Sequence, residues 1–141
     1  MGLSTYNGFS GRQREQVQRW LNEQWDSGEL PRPSVCVACG QIEGIIDGHL
    51  ENYDEPTSYV DLCVTCHLLL HMRFRRAAAW LRYRERVAAG WQAPPMHRRG
   101  QAIGELAKGI LAGKYPAGVQ RAAAPGKTFL DQLSTTAAPL W

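Results

Sequence analysis

The side chains of this sequence best suited to chemistry are cysteines and histidines grouped between residues 36 and 71. The four cysteines form two CxxC pairs, CVAC and CVTC, with 23 residues between them. Structural zinc takes four thiolates in a tetrahedron, and two CxxC turns from separate segments supply such a set. In a reducing cytosol, paired thiols of this kind are better explained by metal ligation than by disulfides. We therefore predict one structural zinc, bound by Cys36, Cys39, Cys63 and Cys66.

Three of the four histidines lie in the same stretch of the chain, at His49, His67 and His71. His67 and His71 are four residues apart, so a helix places them on one face, where they can share a metal ion. His49 follows the β-branched residues of a predicted strand. Isolated histidines are usually core or surface residues with ordinary hydrogen bonds, and that interpretation stays open. The alternative is a second divalent metal bound by the three histidines together.

The elements that must position these residues are predicted from apolar spacing and from helix end signals. A first helix should begin after Ser10, a suitable N-cap, and end at Gly28. A knuckle with a short hairpin follows between residues 36 and 50, and one long helix between about residues 63 and 90. The apolar stripe of the first helix, expected to face the core, consists of Val17, Trp20, Leu21 and Trp25.

The predicted organisation has three segments. Residues 1–30 form the N-terminal amphipathic helix, and residues 31–90 form the zinc domain with its long basic helix. Residues 91–141 form a C-terminal arm that begins with a proline-containing linker and continues into a second short helix. From about Ala117 the arm is expected to be largely unstructured. An apolar patch at Phe129, Leu130 and Leu133 is the exception within that tail.

Composition and charge restrict the class of protein. The chain is 44% hydrophobic and 21% charged, as is typical of a soluble protein. It has no apolar run of the roughly 18 residues that a spanning helix requires, and no hydrophobic signal core at its N-terminus. We therefore expect a cytoplasmic protein with no membrane partner. Residues 1–61 carry ten acids and four bases, whereas residues 62–141 carry three acids and twelve bases, so the second half is the expected partner face.

Three short motifs together carry a family resemblance. CVACG, GHLENYDEP and LCVTCHLLLH resemble the zinc-ribbon type of the HNH, or ββα-metal, nucleases, which is often found in phages and prophages. That family combines CxxC, a strand ending in two histidines, an acidic turn with Tyr and Pro, and LCxxCHxxxH at the start of a helix. The match covers residues 36 to about 72, with Tyr53 and Pro56 in the turn. It implies an α+β, zinc-stabilised treble-clef core with flanking helices.

The resemblance also implies roles for individual residues. His49 matches the first histidine of the pair, a ligand of the catalytic divalent metal, and it is therefore the candidate catalytic residue. His67 and His71 match the helical histidines, which implies a second metal site for Mg²⁺, Mn²⁺, Ni²⁺ or Zn²⁺. The general base of the family falls on Leu50, which cannot accept a proton. Loss of a general base typically lowers the rate by about 10²- to 10⁴-fold, so we expect a weak or lost nuclease activity.

Residues 72–104 contain eight arginines and a single acid, Glu85. Guanidinium groups bind phosphate in a bidentate manner, so this segment is predicted to contact nucleic acid. If the helix is continuous, Arg75, Arg82 and Arg86 form a stripe beside its histidine face. The expected contact residues are Arg75, Arg82, Arg86, Arg73 and Arg76. Ion pairs between these arginines and the acids of the first half are the competing interpretation.

The sequence therefore predicts a zinc-containing, HNH-like protein that binds nucleic acid, with double-stranded DNA as the expected partner. Two alternatives stay open. One is an active HNH endonuclease, and the other is a protein-interaction module or inhibitor that uses the zinc fold as a scaffold. Binding to random duplex DNA that weakens steeply with salt separates nucleic-acid binding from the protein-partner alternative.

Overall fold

The structure is a computed structural model that describes residues 3–101, 104, 106–117, 119–120 and 129–135. It is a mixed α+β fold in which two small antiparallel sheets and several helices surround one core. None of the described helices combines the length and the hydropathy needed to cross a bilayer. In chain order the elements are α1 Gly11–Ser27, β1 Ile46–His49, β2 Val60–Cys63, α2 Val64–His71, α3 Ala77–Ala88, β3 Trp91–Gln92, α4 Arg99–Gln101, α5 Ala107–Leu111 and β4 Val119–Gln120, with 3-10 turns at Pro56–Ser58 and Phe129–Gln132.

The first helix, α1, begins and ends where its capping residues predict. The Ser10 hydroxyl accepts a hydrogen bond from the backbone N–H of Gln13, which satisfies one of the donors at the helix start. Gly28 adopts φ 83°, the left-handed conformation that glycine favours at a helix end. Leu21 is buried in the core as predicted, whereas Trp20 is 39% exposed. The apolar stripe of α1 is therefore narrower than the sequence suggests.

The strands β1 and β2 form the antiparallel hairpin that carries His49. Ile46 is opposite Cys63, and His49 is opposite Val60. A Cβ atom on Gly48 would lie 2.8 Å from the Trp25 ring, so only glycine allows α1 to pack this closely on the hairpin. Cys63 ends β2 and caps α2, since its thiol accepts from the backbone N–H of Cys66. The hairpin and α2 are thus joined through a single cysteine.

The predicted long helix between residues 63 and 90 is in fact two helices. Helix α2 ends at His71 and α3 begins at Ala77. The physical reason is the Arg73 side chain, which is buried with 1% exposure rather than extended into solvent. Its guanidinium donates to the carbonyl of Leu70 at 3.0 Å, which satisfies a carbonyl at the end of α2. The chain therefore turns between the two helices instead of continuing as one.

The C-terminal arm packs on the core more extensively than predicted. Trp91 and Ala93 are buried, although they lie in the segment predicted to be a linker. The Gln41 side chain donates to the carbonyl of Ala93 at 2.8 Å and so ties this segment to the first cysteine knuckle. Leu130 is fully buried, in agreement with the predicted apolar patch. For the rest of the tail, residues 118, 121–128 and 136–141 lie outside the described residues.

All three predicted segments contribute to one hydrophobic cluster. Leu21 comes from the N-terminal helix, Leu62 from the zinc domain and Leu130 from the C-terminal arm, and each is 1% exposed or less. The cysteine knuckles belong to the same cluster. Packing in one part of the chain is therefore connected to packing in the others.

Candidate metal centres

The four cysteines meet in the core as a compact group of sulfur atoms. All four Sγ atoms lie within 4.8 Å of one another, and no disulfide joins them. The Sγ atoms of Cys39 and Cys63 are 3.7 Å apart. Two thiolates on one tetrahedral zinc, at about 2.3 Å each, are separated by roughly 3.8 Å. The spacing therefore fits a metal ion and is consistent with a structural zinc.

Hydrogen-bond donors surround these sulfur atoms. The backbone N–H of Cys39 donates to the Cys36 sulfur, and that of Cys66 donates to the Cys63 sulfur, each at 3.5 Å. The Tyr83 hydroxyl, fully buried on α3, lies 2.9 Å from the Cys66 sulfur. Donors aimed at sulfur favour the thiolate, which is the form that binds metal. The backbone N–H groups of the two knuckles therefore stabilise the thiolate form of the side chains that could bind a metal ion.

Electrostatics also favour a cation at the cysteine cluster. Hydrogen bonds from the neighbouring sulfurs, that of Cys39 foremost, lower the pKa of Cys36. Hydrogen bonds with Cys36 and Cys39, together with burial, raise the pKa values of Cys63 and Cys66. Four negative charges are thus not tolerated in this buried group by itself. A divalent cation removes the conflict because a coordinating thiol is deprotonated outright.

The second cluster brings the three predicted histidines together. Nδ1 of His49 lies 3.2 Å from Nε2 of His67, and Nε2 of His71 lies 3.1 Å from the same atom. Two imidazole nitrogens bound to one ion at about 2.1 Å are separated by roughly 3.0 to 3.4 Å, depending on the coordination angle. The His49 and His71 nitrogens therefore each lie at this spacing from Nε2 of His67, and ligand atoms of all three histidines lie within 4.8 Å of one another.

Two carboxylates determine which imidazole nitrogens face the other histidines. Nδ1–H of His67 donates to Oδ2 of Asp47 at 2.9 Å, and Nε2–H of His49 donates to Oε2 of Glu51 at 2.5 Å. The remaining ring nitrogens, Nδ1 of His49 and Nε2 of His67, consequently face each other at 3.2 Å. A cation shared by these two nitrogens, either a proton or a metal ion, favours their close approach. This carboxylate–histidine arrangement is the one that orients metal ligands in proteins.

The protonation state of the cluster suits ligation. Burial lowers the pKa of His49 to about 4, although the hydrogen bond to Glu51 opposes this shift, and burial also lowers the pKa of His71 to about 2. Both imidazoles are therefore neutral at pH 7 and have lone pairs available for a metal. Burial by itself raises the pKa of Asp47, but hydrogen bonds from Arg99 and His67 outweigh it and hold the pKa below its usual range. The Asp47 carboxylate is thus ionised and accepts a hydrogen bond from Nδ1–H of His67.

Leu50 does not reach the metal-binding point. It is buried in the hydrophobic core with 3% exposure. His49, the preceding residue on the strand, supplies the nitrogen that faces the other histidines. Asp47 and Glu51 hydrogen-bond to ring nitrogens that face away from that point, so these carboxylates orient the imidazoles from outside the histidine cluster.

The arginines predicted to bind nucleic acid separate into two groups. Arg73 is buried and its guanidinium pairs with Glu51 at 2.7 Å, so the prediction of a nucleic-acid contact at Arg73 is corrected. The break between α2 and α3 also removes the basis for the predicted continuous stripe. The other predicted arginines are exposed on α3 or immediately before it: Arg75, Arg76, Arg82 and Arg86. Arg82 donates to the carbonyl of Leu111, and Arg86 lies over the Tyr115 ring.

Sequence reasoning missed the roles of three charged residues. Asp47 and Glu51 lie two residues on either side of His49, and alternation along a strand could have placed them on its face. Arg99 is 52 residues from Asp47 in the chain, and no local signal connects them. Asp47, His67 and Arg99 together line two cavities, of about 520 and 180 Å³. The histidine cluster therefore opens to solvent beside Arg99.

The fold and its two clusters define a class: a small α+β protein with one four-cysteine and one three-histidine group, each able to hold a metal ion. No protein-family model, curated protein or solved structure matches this chain. Its function must therefore be argued from the site itself.

Proposed function

We propose that the protein is a zinc-stabilised, HNH-like nucleic-acid-binding protein with a slow, metal-dependent phosphodiesterase activity. The observation that carries this proposal is the convergence of His49, His67 and His71, with Asp47 orienting the ring of His67 and Glu51 that of His49. The structural zinc is assigned to the cysteine cluster, whose donor set suits a closed tetrahedral site.

The chain's own residues divide the work at the histidine centre. The three imidazoles hold a divalent cation, which supplies Lewis acidity and lowers the pKa of water. Asp47 and Glu51 keep the imidazoles oriented, and Tyr6 covers one side, since its ring lies 4.6 Å from that of His71. Leu50 offers no general base, and hydrolysis is therefore slow, by about 10²- to 10⁴-fold relative to a centre that has one.

Exposed arginines supply the contact with nucleic acid in this proposal. Arg75 and Arg76 precede α3, and Arg82 and Arg86 lie on it, all with exposed side chains. Residues 62–141 have twelve bases against three acids, which favours a polyanionic partner. Phosphate contacts of this type bind with little sequence preference and weaken steeply as salt is raised. Double-stranded DNA is the partner that we propose.

Plasmid DNA tests the proposal directly. Zinc-loaded protein is incubated with supercoiled plasmid in Mg²⁺, Mn²⁺, Co²⁺ or Ni²⁺, and nicking is followed by gel electrophoresis. We expect slow nicking that requires the added ion and disappears in His71→Ala. The matched control is His97→Ala, since His97 is exposed and lies outside the histidine cluster.

Two results would contradict the proposal. Nicking that persists in His71→Ala would show that the activity does not come from the histidine centre. If random duplex DNA did not bind appreciably, or if its binding did not depend on salt, the proposed nucleic-acid contact would be wrong and the protein-interaction alternative would be favoured.

A further inference from the structure

The histidine centre has one covered side and one open side. On the covered side the Tyr6 ring packs against His71, and behind it the Arg73 guanidinium pairs with Glu51. On the open side the His67 side chain is 22% exposed and lines both cavities at the cluster. Any ligand that reaches the centre must therefore approach past the residues on the His67 side.

Arg99 lies on that open side and is linked to the centre through one carboxylate. Its guanidinium donates to Oδ1 and Oδ2 of Asp47, at 2.7 and 2.9 Å. The same Oδ2 atom accepts the Nδ1–H of His67. Asp47 thus fixes the position of Arg99 relative to a metal-binding imidazole. Yet the Arg99 side chain remains 59% exposed, so the pair does not bury it.

The ion pair leaves part of the guanidinium available to a ligand. An arginine has five N–H donors, and Asp47 engages two of those of Arg99. Three donors therefore remain for an acceptor in the cavities that Arg99 lines with His67. Phosphate oxygens are the acceptors that a planar guanidinium fork matches best, and a charge-assisted bond of this kind is about twice as strong as a neutral one.

The backbone before Arg99 is anchored to the hairpin. The backbone N–H of Ile45 donates to the carbonyl of Met96 at 2.8 Å. Gly44 has φ 73°, and a Cβ atom there would lie 2.5 Å from that carbonyl oxygen. Only glycine therefore permits this approach, which brings the segment containing Arg99 beside the strand that contains Asp47. Backbone packing between residues 44–45 and Met96 therefore determines where the segment containing Arg99 lies.

We propose that Arg99 is a substrate-contacting residue that binds a phosphate oxygen at the open side of the histidine centre. This inference rests on the proposed function and deepens it, because it names the group that recognises the phosphodiester. Arg99 brings positive charge to the point where the substrate meets the cation. Asp47 keeps it there while also holding the tautomer of His67.

Phosphate binding tests this role without requiring any hydrolysis. Zinc-loaded protein is titrated with Co²⁺, and inorganic phosphate is then added while the broadening of its phosphorus NMR signal is recorded. We expect Arg99→Gln to weaken phosphate binding by about 10-fold or more, as loss of a hydrogen bond from a charged donor predicts. The phosphate affinity of Arg99→Lys should lie between those of the unsubstituted protein and Arg99→Gln, because lysine keeps the charge but lacks the planar set of N–H donors. Arg98→Gln, at the neighbouring exposed arginine, should equal the unsubstituted protein.

Each other outcome has a definite meaning. Equal phosphate binding in Arg99→Gln and Arg98→Gln would overturn the proposal. A lower Co²⁺ affinity in Arg99→Gln would also overturn it, because Arg99 would then be a positioning residue that acts through Asp47. No phosphate binding in the Co²⁺-loaded protein would overturn it as well. Arg99-dependent phosphate binding without plasmid nicking would support the inference while the proposed hydrolysis fails.

Discussion

Glu51 is the side chain on which most contacts of the histidine centre converge. It accepts from His49, from the Tyr6 hydroxyl and from Arg73, whose guanidinium is 1% exposed. Although burial raises its pKa, the hydrogen bonds from His49 and Tyr6 outweigh this effect, and the pKa is lowered overall. One carboxylate therefore orients a metal ligand, neutralises a buried cation and ties the N-terminal segment to the strand.

The substitution Glu51→Gln tests two of these roles, the pairing with Arg73 and the orientation of His49. It leaves the Arg73 guanidinium buried without its carboxylate, and breaking a buried pair costs about 3 kcal/mol or more. It also weakens the hold on His49, and loss of such an outer partner lowers metal affinity by about 10- to 100-fold. We expect a lower free energy of unfolding, measured by urea unfolding of the zinc-loaded protein, and a lower Co²⁺ affinity, measured by titration.

The matched control for Glu51→Gln is Glu55→Gln, on the same loop but exposed. It should change neither quantity appreciably. If Glu51→Gln left stability and Co²⁺ affinity as they are, the assigned network of contacts would be incorrect.

The cysteine cluster holds several elements together. Cys63 ends β2 and caps α2, and Cys66 lies in the first turn of α2. The Gln92 side chain, on β3, donates to the carbonyl of Cys39 at 2.9 Å. Tyr83 connects α3 to the same group through the Cys66 sulfur. The proposed zinc is therefore a junction between the hairpin and two helices, and its removal should loosen all of them.

The substitution Tyr83→Phe tests this junction at the contact between α3 and the Cys66 sulfur. It deletes the hydroxyl beside the Cys66 sulfur and keeps the ring in the core. We expect zinc affinity to fall by about 10-fold, as is typical when an outer hydrogen bond to a ligand is lost. Competition with a chromogenic chelator measures the affinity. Tyr59→Phe is the control, because its hydroxyl donates to the carbonyl of Pro31 and not to sulfur. Equal affinities in the two variants would show that the Tyr83 contact does not stabilise the thiolate.

Across the whole molecule, the acidic first half and the basic second half are partly paired. Arg73 is buried in its pair with Glu51, as the competing interpretation predicts, whereas Arg99 pairs with Asp47 and stays exposed. Arg84 pairs instead with Asp131 of the C-terminal arm. Arg75 and Arg76 are exposed and carry positive charge at the protein surface.

The sequence predicts the parts of this structure that depend on neighbours in the chain. Ser10 and Gly28 mark the ends of α1, and the CxxC spacing places the cysteines together, because each signal acts within a few residues. The helix break was not predictable, since Arg73 bonds to Tyr6 and Ser134, 67 and 61 residues away. Arg73 lies at the start of an arginine-rich segment, where the sequence predicts an exposed side chain. Only tertiary contacts distinguish Arg73 from its exposed neighbours.

Every role proposed for the histidine centre requires that the three histidines bind a metal ion in addition to the cysteine zinc. Isothermal titration of the zinc-loaded protein with Co²⁺ measures this directly. We predict one further ion per chain, with binding lost in His71→Ala and retained in His97→Ala, while both variants keep their zinc. No Co²⁺ binding beyond the zinc, or equal Co²⁺ binding in the two variants, would contradict a metal site at the three histidines.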